Sequence, residues 1–167
     1  MRLHVRFVCL IIPVVLLLSS VTLGAAQGTV SVISKPVRSL LDHRYAHWLP
    51  ATVAPASGAC SAAAAWATPV IVGDFDGDGL ADVVMQIQTG TQSRVVIGLN
   101  RHDLPKLVEL DVPVGPLVVH KRGERYNQTG ELSAHYFDVD TLGTDVCGSG
   151  DVWLWTGSGF HKTPVTH

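Results

Sequence analysis

Four aspartates stand close together in one short, glycine-containing stretch of this chain. Calcium takes six to eight oxygen ligands at about 2.3 to 2.6 Å, and a tightly coiled loop turns every second side chain inward. The spacing of the acids at positions 1, 3, 5 and 9 therefore predicts a calcium site. Gly79, at position 6, would permit the turn, and Leu80 would supply a backbone carbonyl oxygen. The four acids are Asp74, Asp76, Asp78 and Asp82.

The charge of this loop supports the same prediction, because four carboxylates within nine residues repel one another unless a cation screens them. Magnesium fits less well, since it usually keeps several of its waters instead of entering an all-protein cage. Zinc would require a His or Cys, which the loop lacks. The remaining alternative is a solvated acidic turn in a hairpin that binds no metal.

The residues on either side of the loop distinguish it from the helix–loop–helix calcium hand. That hand needs a bidentate acid at position 12, where this chain has Met85. The flanking runs 70–72 and 83–85 are rich in valine and isoleucine, which favour β-strands. We therefore expect a strand–loop–strand calcium site.

The stretch from Gly73 to Val84, G-D-F-D-G-D-G-L-A-D-V-V, resembles the FG-GAP or VCBS repeat of integrin-like propellers and many bacterial extracellular proteins. The resemblance covers about residues 69–99. In that family the corresponding loop acids bind calcium, which implies the same set of ligands here: Asp74, Asp76, Asp78 and Asp82, with Leu80 giving its carbonyl. A propeller needs at least about four blades. Because only one copy of the repeat is present, we do not expect a full propeller.

The C-terminal stretch W-L-W-T-G-S-G-F, Trp153 to Phe160, predicts a strand, a glycine turn and a second strand. Together with the segment 66–69 it resembles small bacterial periplasmic proteins that carry one such repeat. Aromatic core packing in a final hairpin accounts for the same residues.

The first 26 residues have the pattern of a secretory signal peptide. Arg2 and Arg6 precede an apolar run over residues 7–18, and small residues continue to Ala26. The apolar run contains Pro13 and is shorter than the roughly 20 residues that span a bilayer. We therefore expect cleavage near Ala26, and a mature protein that is periplasmic or secreted.

Residues 27–167 have the length of a single domain. Without the two signal arginines, ten Lys and Arg face fourteen Asp and Glu, which gives a net charge of −4. The largest basic cluster is Lys121, Arg122 and Arg125. This balance argues against a nucleic-acid partner, and we expect no membrane span after signal cleavage.

Two cysteines, Cys60 and Cys147, lie in the predicted mature domain. In an oxidising compartment an isolated pair favours a disulfide. Neither cysteine has the C-x-x-C partner that a redox site would show.

The elements that position the loop are predicted to be mainly β. Apolar residues at spacings of three and four predict a short amphipathic helix over 39–49, with Ser39 as its cap and Pro50 as its stop. Short β-rich runs separated by Pro and Gly favour an antiparallel meander, with α+β as the wider class. These runs are 69–73, 81–88, 94–99, 106–110, 117–120, 135–139 and 151–156.

No catalytic residue is assigned. His43 and His47 have a spacing that metals use, but lack the Glu next to the first His of a zinc protease. Asp138, Asp140, Asp145 and Asp151 could supply an acid pair for glycoside cleavage.

The leading interpretation is a calcium-binding accessory module that recognises a protein or an envelope polymer, with calcium mainly structural. One alternative is a periplasmic inhibitor or immunity protein of a cell-wall or toxin enzyme. The other is a small metal-dependent or acid-dependent hydrolase.

Overall fold

The computed structural model describes residues 32–54, 68–144 and 148–166. Strand dominates these residues and every strand pair is antiparallel, so the predicted mainly β class is confirmed. The elements of the described part are α1 (Lys35–Arg44), β1 (Leu49–Pro50), β2 (Val70–Gly73), β3 (Asp82–Thr89), β4 (Gln92–Leu99), β5 (Lys106–Leu110), β6 (Val118–His120), β7 (Arg125–Gln128), β8 (Ala134–Tyr136), β9 (Thr141–Gly143), β10 (Ser149–Trp155) and β11 (Phe160–Thr166).

The first sheet is built around β3. One edge of β3 pairs with β4 from Val83 to Thr89, and β4 in turn pairs with β5. The other edge of β3 is shared, because β2 covers Asp82 to Met85 and β1 covers Ile87 and Gln88. Strands β2, β3 and β4 thus form the predicted meander, and the acidic loop is the turn between β2 and β3.

The second sheet has the strand order β6-β9-β10-β11-β7-β8. Its longest pair is the hairpin of β10 and β11, closed by a glycine turn, as the C-terminal pattern predicts. Strands β7 and β9 fall outside the predicted runs, because β7 is polar and β9 is only three residues long. The fold includes a sheet curled into a half-barrel, and its described residues form no closed propeller.

The two sheets and the helix form three layers. A core between the sheets joins residues of both, including Phe75, Val84 and Trp153. The helix covers the outer face of the first sheet, where it packs on Val83 and Met85. Because alternate residues of a strand point to opposite faces, the buried run of β3 from Asp82 to Ile87 is covered on both sides, and Val83, Val84, Met85 and Ile87 supply its apolar side chains.

Gln86 is a polar residue in this otherwise apolar part of β3. Its side-chain nitrogen donates to the carbonyl oxygens of Gly115, at 2.9 Å, and Thr68, at 3.3 Å. Its side-chain oxygen accepts from the Gly115 amide at 2.8 Å. Since a buried amide is tolerated when its groups are bonded, Gln86 fixes the connection between β5 and β6 onto the first sheet.

The helix boundaries differ from the predicted ones. Ser34 is the N-cap, its hydroxyl accepts from the Val37 amide, and Pro36 lies in the first turn. Proline is favourable there because the first amides of a helix have no intrahelical partner. The predicted start at Ser39 is therefore wrong. The helix also ends earlier, at Arg44, and Pro50 belongs to β1.

The helix lies close to the sheet at Gly98 of β4, where an added Cβ would lie 2.3 Å from Cγ1 of Val37. We predict that Gly98→Ala lowers the free energy of unfolding by about 1 to 3 kcal/mol, because the methyl group must displace a buried side chain. Urea titration would measure the change. Gly115→Ala is the control, since a Cβ there meets nothing within 4 Å. Equal losses in the two variants would contradict the close contact.

Candidate metal centre

The acidic loop is held at both ends by the hairpin of β2 and β3. The register pairs Gly73 with Asp82, so the chain leaves and re-enters the sheet at neighbouring positions. Residues 74–81 form the connection. Two paired β-rich strands therefore fix the ends of the segment that carries the acids.

Three of the four predicted acids come together. Asp74, Asp76 and Asp78 each offer a carboxylate oxygen, and these oxygens all lie within 4.8 Å of one another. Two ligands of one calcium ion are separated by no more than about 5 Å, since each lies about 2.3 to 2.6 Å from the ion. The three side chains can therefore bind the same ion.

Backbone amides of the loop hold these side chains in place. The carboxylate of Asp74 accepts from the amides of Gly77, at 2.8 Å, and Gly79, at 3.2 Å. Asp78 accepts from the Leu80 amide at 2.8 Å. Gly77 and Gly79 have φ angles of 78° and 86°, which residues with a side chain rarely adopt. The coil thus depends on its glycines.

Asp76 lies inside the loop, with its side chain only 3% exposed. Burial raises the pKa of Asp76, and the negative charges of Asp78 and Asp74 add to that rise. The hydrogen bond from the Asp78 amide and the Arg101 guanidinium act in the opposite direction. The Nε of Arg101 is 3.7 Å from Oδ2 of Asp76. One guanidinium leaves three clustered carboxylates only partly neutralised, and a divalent ion would offset the remainder.

Asp82, the fourth predicted ligand, lies outside this group of three. It is 1% exposed, and its two oxygens accept from the amides of Phe75, at 2.9 Å, and Asn100, at 2.8 Å. Burial raises its pKa to about 6 despite these two hydrogen bonds. Asp82 therefore ties the beginning of the loop to the end of β4.

Asp140 attaches the loop to the second sheet, which the sequence pattern did not reveal. The Asp140 amide donates to the carbonyl oxygen of Asp74 at 3.1 Å, and the Asp74 amide donates to Oδ2 of Asp140 at 3.3 Å. Burial would raise the pKa of Asp140, but hydrogen bonds from Lys121, the Arg122 amide and the Asp74 amide lower it overall. A carboxylate from the connection between β8 and β9 thus supports the acidic loop.

Val139, next to Asp140, makes a second contact between the loop and this sheet. A Cβ added at Gly77 would lie 2.6 Å from Cγ1 of Val139. The valine side chain therefore fills the space that the glycine leaves. The acidic loop packs directly on the connection between β8 and β9.

The other predicted candidates do not assemble. His43 is on the last turn of α1, whereas His47 follows its end with a φ of 56°, so the two do not share a helix face. Asp151 pairs with Lys162 at 2.9 Å. The predicted signal peptide, Cys60, Cys147 and Asp145 lie outside the described residues.

No helix within the described ranges is both long enough and apolar enough to cross a membrane. Comparison with protein-family models, with curated proteins and with solved structures found no match to this chain. A function is therefore proposed from the chemistry of the loop and of the surfaces around it.

The buried carboxyl of Asp82 gives the metal-free protein a defined pH dependence. Its pKa is about 6 when folded and about 3.9 when unfolded, so the folded state binds the proton more tightly. The associated stability is fully present below about pH 4 and is lost as the pH rises through the folded pKa of about 6. We predict that, in chelator, the melting temperature falls between about pH 5 and pH 7.

Asp82→Asn should remove most of this slope, because an amide does not titrate. If the loop binds calcium, the ion should reverse the slope in the wild type, since metal binding requires deprotonated carboxylates. Differential scanning calorimetry would measure all three profiles. If the chelated wild type and Asp82→Asn show the same slope, the assigned role of Asp82 is incorrect.

Proposed function

We propose that this protein is a calcium-braced binding module that acts outside the cytoplasm and recognises a protein or an envelope polymer. The observation that carries the proposal is the group of three aspartate oxygens within 4.8 Å of one another. That group lies where the first sheet contacts the connection between β8 and β9. Calcium would hold the β2–β3 hairpin and, through it, the position of the second sheet.

Calcium is the ion that this donor set favours. The cluster contains only carboxylates, and hard oxygen ligands suit calcium better than zinc. The Leu80 carbonyl and solvent would complete the coordination. Asp82 would contribute directly or through a water, since both of its oxygens already accept backbone amides.

The strand–loop–strand setting supports the resemblance to a single FG-GAP or VCBS repeat. The loop connects two paired antiparallel strands, and a third strand completes the meander. The predicted signal peptide supports a location outside the cytoplasm, where the predicted disulfide of Cys60 and Cys147 would form. Extracellular calcium modules bind at roughly 10⁻⁴ to 10⁻³ M, so a loop with three clustered acids would suffice there.

The positions and contacts of the candidate catalytic residues favour a binding role over a hydrolase role. The two histidines that could hold a catalytic metal lie on different local structures. Asp140 and Asp151, two candidates for an acid pair, are each bonded to a lysine. What remains is an acidic loop that connects the two sheets through Asp140.

The structural role of calcium predicts a stabilisation that a chelator removes. Calcium at about a hundred times its Kd should add about 2.7 kcal/mol to the free energy of unfolding, which raises the melting temperature by several degrees. Asp76→Ala should abolish most of this response, because it removes one of three clustered ligands. Thermal unfolding with calcium and with chelator measures both.

Asp103→Ala is the matched control, because Asp103 also lies 3.7 Å from the Arg101 Nε but is outside the loop. It should keep the full calcium response. A wild-type melting temperature that ignores calcium, together with no uptake in titration calorimetry, would exclude the brace.

The binding role predicts calcium-dependent capture of an envelope component. Immobilised wild-type protein should retain the component from envelope extract in calcium, and less of it in chelator. Asp76→Ala should retain less in both conditions, whereas Asp103→Ala should match the wild type. Retention that is equal for all variants and conditions would show that the loop does not support the binding surface.

A further inference from the structure

A small cleft lies on the second sheet, next to the acidic loop. Its volume is about 220 Å³, and it is lined by residues from β7 and β8, the segment after β8, and the β10–β11 hairpin. Clefts that take drug-sized ligands measure roughly 300 to 1,000 Å³, so this one admits a single ring-sized group. Its wall includes Val139, the residue that packs against Gly77 of the loop.

The cleft contains a tyrosine hydroxyl that has no partner. Tyr126 is only 7% exposed, and its hydroxyl makes no hydrogen bond within residues 32–54, 68–144 and 148–166. In those residues no fully buried side-chain polar atom lacks a partner. The hydroxyl must therefore reach the surface, and the cleft is the surface that Tyr126 lines. Burial raises the pKa of Tyr126, and the nearby charges of Asp138 and Glu131 raise it further, so the phenol stays protonated.

Three more polar side chains line the cleft without an internal partner. Asp138, Tyr136 and His161 make no side-chain hydrogen bond or ion pair with any residue that the structure describes. Tyr136 is a large side chain that is 62% exposed. These groups are available to a ligand.

The apolar part of the cleft is formed by Leu154, which packs with Tyr126 and Phe137. Because alternate residues of a strand point to opposite faces, the indole of the next residue, Trp155, packs toward the core between the sheets, with the Phe160 ring 5.0 Å away. The rings of Phe137 and His135 both stack against the Tyr126 ring, with centroid separations of 4.4 and 5.4 Å, so Tyr126 contributes its hydroxyl to the cleft. A cation-binding aromatic cage needs open ring faces, so the stacked tyrosine does not fit that use.

The polar groups select the chemistry of the ligand. Tyrosine hydroxyls and a histidine ring can both donate and accept, whereas the Asp138 carboxylate accepts at both oxygens. Among the residues that the structure describes, no lysine or arginine lines the cleft, which disfavours an anion. A simple cation only donates, and would leave the tyrosine and histidine donors unused. A sugar ring presents neighbouring hydroxyls that donate and accept, together with an apolar C–H face.

We propose that this cleft binds one neutral sugar residue of a glycan, with Asp138 accepting from sugar hydroxyls, Tyr126 and His161 completing the hydrogen bonds, and Leu154 lying against the apolar face. The inference rests on the proposed binding function, for which it names the class of polymer. Because the acidic loop supports the wall at Val139, loss of calcium should weaken the sugar site.

Three soluble neutral oligosaccharides serve as probes: chitotetraose, cellotetraose and maltotetraose. Titration in calcium, followed by tryptophan fluorescence and by calorimetry, should show saturable binding of at least one probe. A Kd on the order of 1 mM is expected for a shallow single-ring site. Absence of binding by all three would overturn the proposal.

Asp138→Asn and Tyr136→Ala test the assignment of the cleft, since both side chains lack internal partners whose loss would unfold the protein. Asp138→Asn should weaken binding by about tenfold or more, because a hydrogen bond to a charged group is lost. Asp103→Asn, the same change outside the cleft, should bind like the wild type. Unchanged affinity of the sugar probes for Asp138→Asn would overturn the site. Choline serves as a cationic probe, and tighter binding of choline than of every sugar would also overturn it.

Calcium calorimetry on the same samples separates the two proposals. Calcium uptake without sugar binding overturns the glycan site and leaves the brace standing. Sugar binding without calcium uptake overturns the brace and leaves the cleft assignment standing. Binding of both, with a weaker sugar affinity in chelator, supports the two together.

Discussion

Mutual repulsion among the carboxylates of the β2–β3 loop is the constraint on which the rest of the site depends. Backbone amides bond to Asp74 and Asp78, and Arg101 lies near Asp76, but these groups do not neutralise the cluster. The loop nevertheless keeps its acids within a few ångströms of one another. Because like charges at that distance destabilise the arrangement, the fold brings them together at a cost that a bound cation would offset.

The position of this loop matters as much as its charge. Asp82 ties it to Asn100 at the end of β4, and Asp140 ties it to the β8–β9 connection. The loop is therefore attached to parts of the chain that are far apart in sequence. Binding energy released at such a junction is folding energy for both sheets, whereas an acidic turn at a free hairpin tip would stabilise only itself.

Local signals account for what could be predicted from the sequence. The spacing of acids and glycine located the loop, and β-branched runs located most strands. The support from Asp140 could not be predicted, because it comes from a contact across 66 residues. The helix start was missed because Pro36 was not recognised as a first-turn residue. The cleft that Tyr126 lines could not be predicted either, because Tyr126 lies on a polar strand, β7, whose sequence carries no alternating apolar pattern.

The loop and the cleft share the short segment between β8 and β9. Asp138 lines the cleft, Val139 contacts both places, and Asp140 bonds to the loop backbone. Because these three residues are consecutive, a displacement of the backbone at Asp140 also changes the backbone geometry at Asp138. Two ligands bound on either side of it would therefore be thermodynamically coupled, and the coupling is reciprocal: the factor by which calcium strengthens sugar binding equals the factor by which sugar strengthens calcium binding. A weak calcium site next to a weak sugar site would thus act as one stronger site wherever both ligands are present.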